Sequence, residues 1–574
     1  MKKIIILFLI ITSQNSTSQI TPTLMQGFPV ILDSVDYTYN NGPIIADFNN
    51  DGQNEVLVGV NGLLTTGKVI LLNNNGEMMQ GFPKFVSCFS SYIWTAAGDI
   101  DNDGFLDIVV KSDSLYVFDR NGNNINGFPI YTFISTNSLG DRISLYDLDN
   151  DGSIEIILSR KNVMTVVNNN GIIRTGWPVT ITNGANPFLS YFSIGDIDDD
   201  NSAEIIIPSS NNSLGNIDSN KIFLLNPDGT QHNISPIYSD SGYYFDTWNY
   251  PIIFDYLNKS QIAILSNYSK VRLPGDYKSR LTIYNSDGSI FSRGNFNSRY
   301  NTESMTMYIP ESQQPVFLCA ETFYSYALNM NGSVLPNYPI FLESDQLRNL
   351  NIGKINGQWS FIGSKSPDTS GGNGLRGIVK FFNVESGQSL QEEMRPIGGP
   401  GTAANLTDLN NDGQLDVVIT TNSVTKNGDG CALYAWTIQG VPYTTENFPW
   451  SMWGHDRYRT NQYGFIPPDD PIGIQPINSN VPTSFKLYQN YPNPFNPITT
   501  IKFDVVSNNQ NQVSNILLKI YDVLGRELVV LLNEQLRQGT YSVKFDGNNY
   551  NSGVYFYTLR SDDISETKKL LLLK

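Results

Sequence analysis

Five times in 574 residues the same acidic nonapeptide runs straight into an apolar stretch. "DFNNDGQNEVLVG" begins at Asp47, "DIDNDGFLDIVV" at Asp99, "DLDNDGSIEIILS" at Asp147, "DIDDDNSAEIIIPS" at Asp196 and "DLNNDGQLDVVIT" at Asp408. The first four starts are 52, 48 and 49 residues apart. A period near fifty means one supersecondary unit, copied, and a unit that small cannot bury its apolar face alone. The chain must therefore fold by packing units against one another.

The shared template is D-x-[DN]-x-D-[GN]-x-x-[DE] followed by at least three apolar residues. Side chains at positions one, three and five point into one concavity, position nine closes it, and the backbone carbonyl of position seven adds an oxygen. The candidate ligands are Asp47, Asn49, Asp51, Gln53 and Glu55; Asp99, Asp101, Asp103, Phe105 and Asp107; Asp147, Asp149, Asp151, Ser153 and Glu155; Asp196, Asp198, Asp200, Ser202 and Glu204; and Asp408, Asn410, Asp412, Gln414 and Asp416. Gly at position six takes a positive φ without penalty, and Asn201 in the fourth copy is the next most tolerant residue. Converging hard oxygens suit Ca2+, which takes six to eight ligands at roughly 2.3–2.6 Å, so about five Ca2+ are expected. An EF-hand begins the same way but needs a bidentate Glu at position twelve and flanking helices. Position twelve is apolar here. An ordinary acidic turn explains one copy and fits five poorly.

The net charge is −17, from 37 basic and 54 acidic residues. The five loops hold 18 carboxylates among their ligands, so the acidity of the chain is about that of the loops. No basic stripe exists to neutralise phosphates, which disfavours nucleic acid. The start, "MKKIIILFLIITSQNSTSQ", has two lysines, an apolar run Ile4 to Ile11 and small polar residues. It reads as a signal peptide over 1–19, too short for a membrane span, and no other segment is apolar enough to be transmembrane. Cys88, Cys319 and Cys431 are too sparse for a disulfide framework.

Two further series run with the loops. Turn pairs fall at Asn75-Gly76, Asn121-Gly122, Asn170-Gly171, Asp228-Gly229, Asp287-Gly288 and Asn331-Gly332, with weaker ones at Ser386-Gly387 and Gln439-Gly440. Such pairs between apolar runs signal two-residue hairpins. "GFP" recurs at 27, 81 and 127, "GWP" at 176, and shorter echoes follow at 338 and 448. Three degenerate units bridge the gap to 408: "DYLNKSQIAILS" at Asp255, "YIPESQQPVFLC" at Tyr308 and "GKINGQWSFIGS" at Gly353. They keep the strand and lose the carboxylates, and Lys259 stands where a ligand would be. Inner strand, acidic loop, second strand, hairpin and closing segment, repeated, describe the blades of an all-β propeller. Eight blades fit the counts; seven fits if one degenerate unit is miscounted. "MQGFPV" near the start matches the end of a unit, so the two ends of the repeat region can share a blade.

The acidic loops followed by "EVLVG", "DIVV" and "EIIL" resemble the FG-GAP or VCBS repeats of integrin-type β-propellers, over residues 20–465. The resemblance implies Ca2+ between two strands of a blade, on the face opposite the usual ligand surface. "WSMWGHDRYRT" at 450–460 looks like the closing tail of bacterial members.

A proline- and polar-rich linker follows over 466–484, and the pattern then changes. "FKLYQNYPNPFNPITTIKFDV", "ILLKIYDVLGRELVVLL", "GTYSVKFDG" and "SGVYFYTLRSDD" read as strands of a small Ig-like β-sandwich over 485–574. Tyr491 to Pro497, Tyr521 to Gly525, Gly553 to Tyr557 and Lys568-Lys569 closely resemble the type A C-terminal sorting domain of the type IX secretion system. That resemblance implies Sec export, passage through the outer membrane by the type IX machinery, and a place at the cell surface. An Ig-like adhesive module is the other reading of this sandwich.

Only His232 and His455 are present, so a zinc site or histidine relay has little to work with. The expectation is a secreted or cell-surface calcium-binding propeller that binds protein or glycan and is not an enzyme. Two other classes stay open: a calcium-dependent polysaccharide lyase and a purely structural surface protein. The aromatic residues of "GFP" and "GWP" suit either sugar stacking or blade core.

Overall fold

The computed structural model describes residues 20–465, 467 and 485–573, apart from short internal stretches of which 132–141, 212–219, 269–276, 342–349, 366–376 and 506–513 are the longest. The expected signal peptide (1–19) and, but for Pro467, the linker (466–484) lie outside the described residues. The chain forms two compact units, Met1–Phe465 and Ile466–Lys574. Both are built of antiparallel strands, with no helix among the described residues.

Eight sheets follow one another along the first unit. The first joins Ile44–Ala46, Glu55–Val60, Thr66–Leu72 and Lys84–Ser87 in chain order, and its successors repeat that plan. We number them blades 1 to 8. The degenerate units form blades 5 to 7, with inner strands Ile252–Asp255, Ser304–Tyr308 and Ile352–Ile355. Blade 8 has Gln414–Asn422 and Cys431–Pro442 at its centre and takes its outer strands, Thr21–Leu24 and Val30–Asp33, from the start of the chain. Gln439-Gly440 is therefore no hairpin. It lies inside the strand Cys431–Pro442, opposite Thr21, because the next strand arrives from elsewhere and no turn is needed.

The apolar runs after each loop lack alternation because both faces of the strand are buried. In Glu55–Val60 the odd and even residues go to different neighbours. Val56, Val58 and Val60 pack with Leu409, Val418, Leu433 and Ala435 of blade 8. Leu57 packs with Ile93, Ala97 and Ile108 of blade 2. The core of the unit lies between blades, and the first and last blades share one such layer. Asn405 Nδ2 of blade 8 donates to the Pro43 carbonyl at the entry to blade 1 (2.5 Å). The eight sheets thus form a β-propeller closed between its first and last blades.

The "GFP" and turn-pair series interlock between neighbours. A Cβ on Gly27 would sit 1.9 Å from the Asn75 carbonyl oxygen of the next blade; Gly81 meets Asn121, Gly127 meets Asn170 and Gly176 meets Asp228 in the same way. The residues after these glycines, Phe28, Phe82, Phe128 and Trp177, are buried as blade core.

The described residues of 447–462, which leave out 453–454, run along the inner strands in blade order. Lys354 and Ile352 of blade 7 donate backbone hydrogen bonds to Asn447 and Trp450, Leu406 of blade 8 to Ser451, Ala97 of blade 2 to Arg457, Leu145 of blade 3 to Tyr458, Ile194 of blade 4 to Thr460 and Ile253 of blade 5 to Asn461. Arg459 is fully buried and donates to the Gly42 carbonyl ahead of blade 1 (2.9 Å). Burial pushes its guanidinium down to about 9. His455 lies within this segment, its Nδ1 3.1 Å from Asp456 Oδ2, against the Trp450 ring.

The second unit is a two-sheet sandwich. One sheet holds Lys486–Leu487, Ile498–Val505 and Gly539–Asp546; the other holds Ser514–Tyr521, Glu527–Leu536, Gly553–Ser561 and Ile564–Leu572. Strict alternation supplies its core: Ile501, Phe503 and Val505; Ile516, Leu518 and Ile520; Tyr541, Val543 and Phe545; Tyr555, Tyr557 and Leu559. The "NPF" stretch pins the final strand. Phe495 N donates to the Leu571 carbonyl (2.9 Å), Leu573 N to the Phe495 carbonyl (3.0 Å) and Leu571 N to Asn493 Oδ1 (2.9 Å).

Candidate metal centres

Each acidic loop joins the inner strand of its blade to the second strand and is organised by its own carboxylates. The position-one acid accepts from the backbone amides of positions five and six: Asp47 from Asp51 (3.1 Å) and Gly52 (2.8 Å), Asp99 from Asp103 and Gly104, Asp147 from Asp151 and Gly152, Asp408 from Asp412 and Gly413. Asp196 accepts from Asp200 (3.2 Å), and Asn201 at position six is outside the described residues. The position-five acid takes the amide of position seven, at Gln53, Phe105, Ser153, Ser202 and Gln414. The closing acid takes the amide of position two: Phe48 to Glu55, Ile100 to Asp107, Leu148 to Glu155, Ile197 to Glu204 and Leu409 to Asp416.

Glycine at position six stands at φ of 82°, 88°, 86° and 80° at Gly52, Gly104, Gly152 and Gly413. A Cβ there would meet nothing within 4 Å, so the requirement is conformational and not steric. Position four, which the template left blank, also matters. Asn50, Asn102, Asn150 and Asn411 all have φ between 52° and 58°. Asn50 Nδ2 donates to the Gly104 carbonyl of the next blade's loop (2.8 Å), and Asn411 Nδ2 to that of Gly52. The recurring Asn in "NND" and "DND" was the available signal, since Asn tolerates the left-handed region.

The carboxylates converge. One oxygen each from Asp99, Asp101 and Asp107, from Asp147, Asp149 and Glu155, and from Asp196, Asp198 and Glu204 lies within 4.8 Å of the other two. Loops 1 and 8 have Asn49 and Asn410 at position three. Asn49 Nδ2 lies 3.2 Å from both Asp51 Oδ2 and Glu55 Oε1, and Asn410 Nδ2 lies 3.1 Å from Asp412 Oδ2. The closing acids are buried while positions three and five are largely exposed. Burial, reinforced by neighbouring carboxylates, pushes Glu55 up to about 7, Asp107 to about 8, Glu155 to about 7, Glu204 to about 8 and Asp416 to about 7. An oxygen-rich concavity with a buried acid that resists ionising on its own fits a divalent cation, which would hold that acid ionised.

Among the described residues two arginines and a histidine reach three of the loops, and the sequence template did not find them because they come from the hairpin of the blade. Arg174 Nη1 lies 2.8 Å from Glu155 Oε1 and Nη2 2.5 Å from Asp149 Oδ2. His232 Nε2 lies 3.2 Å from Asp198 Oδ2. Arg120 stacks on Phe105 with its Nη1 3.9 Å from Asp103. In the degenerate units the loops shrink. Asp255 accepts from Ser260 Oγ (2.9 Å), Lys259 and Tyr256 exchange backbone bonds, and Asn356-Gly357 alone turns blade 7.

Residues 489–573 match the family of secretion system C-terminal sorting domains. Residues 47–110, which span the first two loops, match the FG-GAP-like repeat. No curated protein matches the chain. Among solved structures, the Vibrio cholerae biofilm matrix protein Bap1 is 13% identical at a TM-score of 0.38, covering 75% of this chain and 92% of that one. The N-terminal part of BBS1 in complex with ARL6 is 10% identical at 0.35, covering 60% and 92%. An Agrocybe aegerita lectin that recognises non-reducing terminal N-acetylglucosamine is 13% identical at 0.32, covering 56% and 93%. Likeness at this level says nothing of what the chain binds.

Proposed function

We propose that this chain, a secreted and surface-attached β-propeller protein with an FG-GAP-like repeat and a type IX sorting domain, holds Ca2+ in its acidic loops and binds a protein or glycan partner without turning it over. One topological fact carries the reading. In every blade the acidic or degenerate loop follows the inner strand, so the connection from second to third strand lies at the opposite end of the sheet. Those opposite connections are short in blades 2 and 3, at 112–114 and 161–162, and long in blades 4, 5, 7 and 8, at 212–220, 269–276, 366–377 and 423–430. A fixed scaffold at one end and connections of variable length at the other is where recognition arises. Bound Ca2+ would supply charge compensation and rigidity to the loops of the first end. The carboxylates that would otherwise serve acid–base chemistry are the same ones the ions would engage.

The test is a pair of measurements on the purified chain with calcium present. Glycan and protein arrays should give a saturable ligand. Incubation with pectins, other polysaccharides and peptides should release no product. Calcium-dependent depolymerisation at enzymatic rates would favour a lyase, and silence on every array would favour a purely structural surface protein.

A further inference from the structure

The loops are not equivalent, and the difference lies in the residue three after each turn glycine. That residue has the same backbone bond in blades 1 to 4: Met79 N to the Leu71 carbonyl, Ile125 N to Val117, Arg174 N to Val166 and His232 N to Leu224. Blades 1 and 2 carry apolar side chains there. In blade 3 a guanidinium takes the place and engages two of the three converging acids. Its grip uses the oxygen an ion would need. In each loop one oxygen of the closing acid is held by the position-two amide: Asp107 Oδ2 by Ile100 N, Glu155 Oε2 by Leu148 N. The remaining oxygen of Glu155, Oε1, faces Arg174 at 2.8 Å. An ion binding that oxygen at roughly 2.3–2.6 Å would sit against a fixed like charge. The Arg120 approach in blade 2 is different, at 3.9 Å and to the exposed position-five acid.

Resting on the calcium reading above, we propose that Arg174 is the resident cation of the third loop, and that this loop takes no Ca2+ under conditions that fill the loops at Asp47, Asp99, Asp196 and Asp408. One arm of the guanidinium, Nη2, is hydrogen-bonded to Asp149, and the other, Nη1, stands beside Glu155 as an ion pair, so the blade keeps a neutralised loop that does not depend on the surrounding calcium.

The experiment counts bound Ca2+ on the full chain after calcium saturation and desalting, with circular dichroism to confirm folding. Four ions are expected for the natural sequence, five for Arg174→Gln and four for Arg174→Lys. Asp149→Asn should leave the count at four, while Asp101→Asn should lower it to three. Five ions in the natural sequence, or a folded Arg174→Gln with no gain, overturn the proposal. If Arg174→Gln does not fold, the two aspartate variants decide: a count that falls with Asp149→Asn overturns it, and a count that stays at four supports it. A natural chain that binds no calcium at all overturns the calcium reading itself, and this proposal with it.

Discussion

Two kinds of glycine in this chain carry two different burdens. Gly81 stands at φ 92° with the Asn121 carbonyl where a Cβ would go, whereas Gly52 stands at φ 82° in open space. Gly52→Ala should cost the left-handed penalty alone, roughly 1–2 kcal/mol. Gly81→Ala adds a backbone clash between blades and should cost more, on the order of 3 kcal/mol or above. Urea unfolding midpoints of the two variants would rank them, and equal losses would mean that the blades part easily at that contact. The repeated glycines were visible in the sequence. Their partners were not, because a repeat reports what recurs within a unit, and Gly81 meets the turn of the following unit.

At the scale of elements, the acidic loops are strand-joining pieces with buried, reluctant acids at their base. Where an ion binds, linkage stabilises the fold by roughly 2.7 kcal/mol per site at a hundredfold excess over Kd. Thermal melts should therefore shift down on chelation, and an unchanged midpoint would mean that the loops do not depend on metal. The segment 447–462 is a different kind of element. It has no strand partner of its own length, yet it bonds to the inner strands of six blades in turn. Trp450 is fully buried and stacks on Tyr250. Trp450→Ala should cost about 3–5 kcal/mol, and denaturant unfolding would measure it. Blades 1 to 4 could be read from loop, strand and turn, blade 8 from loop and strand, and blades 5 to 7 from strand and turn. The route of this segment could not, since "WSMWGHDRYRT" has no periodicity and its partners lie as far as 417 residues away, as in the bond from Arg459 Nη2 to the Gly42 carbonyl.

At the scale of the whole molecule, the second unit has its own core and a sorting-domain match, so its loss should leave the first unit folded and misplaced. Removing residues 485–574 should retain the protein in the periplasm, which cell fractionation and protease shaving would detect; normal surface display would defeat the assignment. The propeller has a constraint of a different nature, set by time. Thr21 to Leu24 pair with Trp436 to Gln439, and the Gly42 carbonyl waits for Arg459. Until blade 8 has been made, blade 1 has no partner for Val56, Val58 and Val60 on that side, and the nascent chain is an open arc with an uncovered edge. Contacts of such long sequence separation form late and slowly. Once they form, no blade can leave without breaking both neighbouring layers and the inner segment together. A single cut in one exposed connection should then leave an assembled ring, so the durability of this protein outside the cell would be a matter of how seldom it opens more than of how deep its free-energy well is.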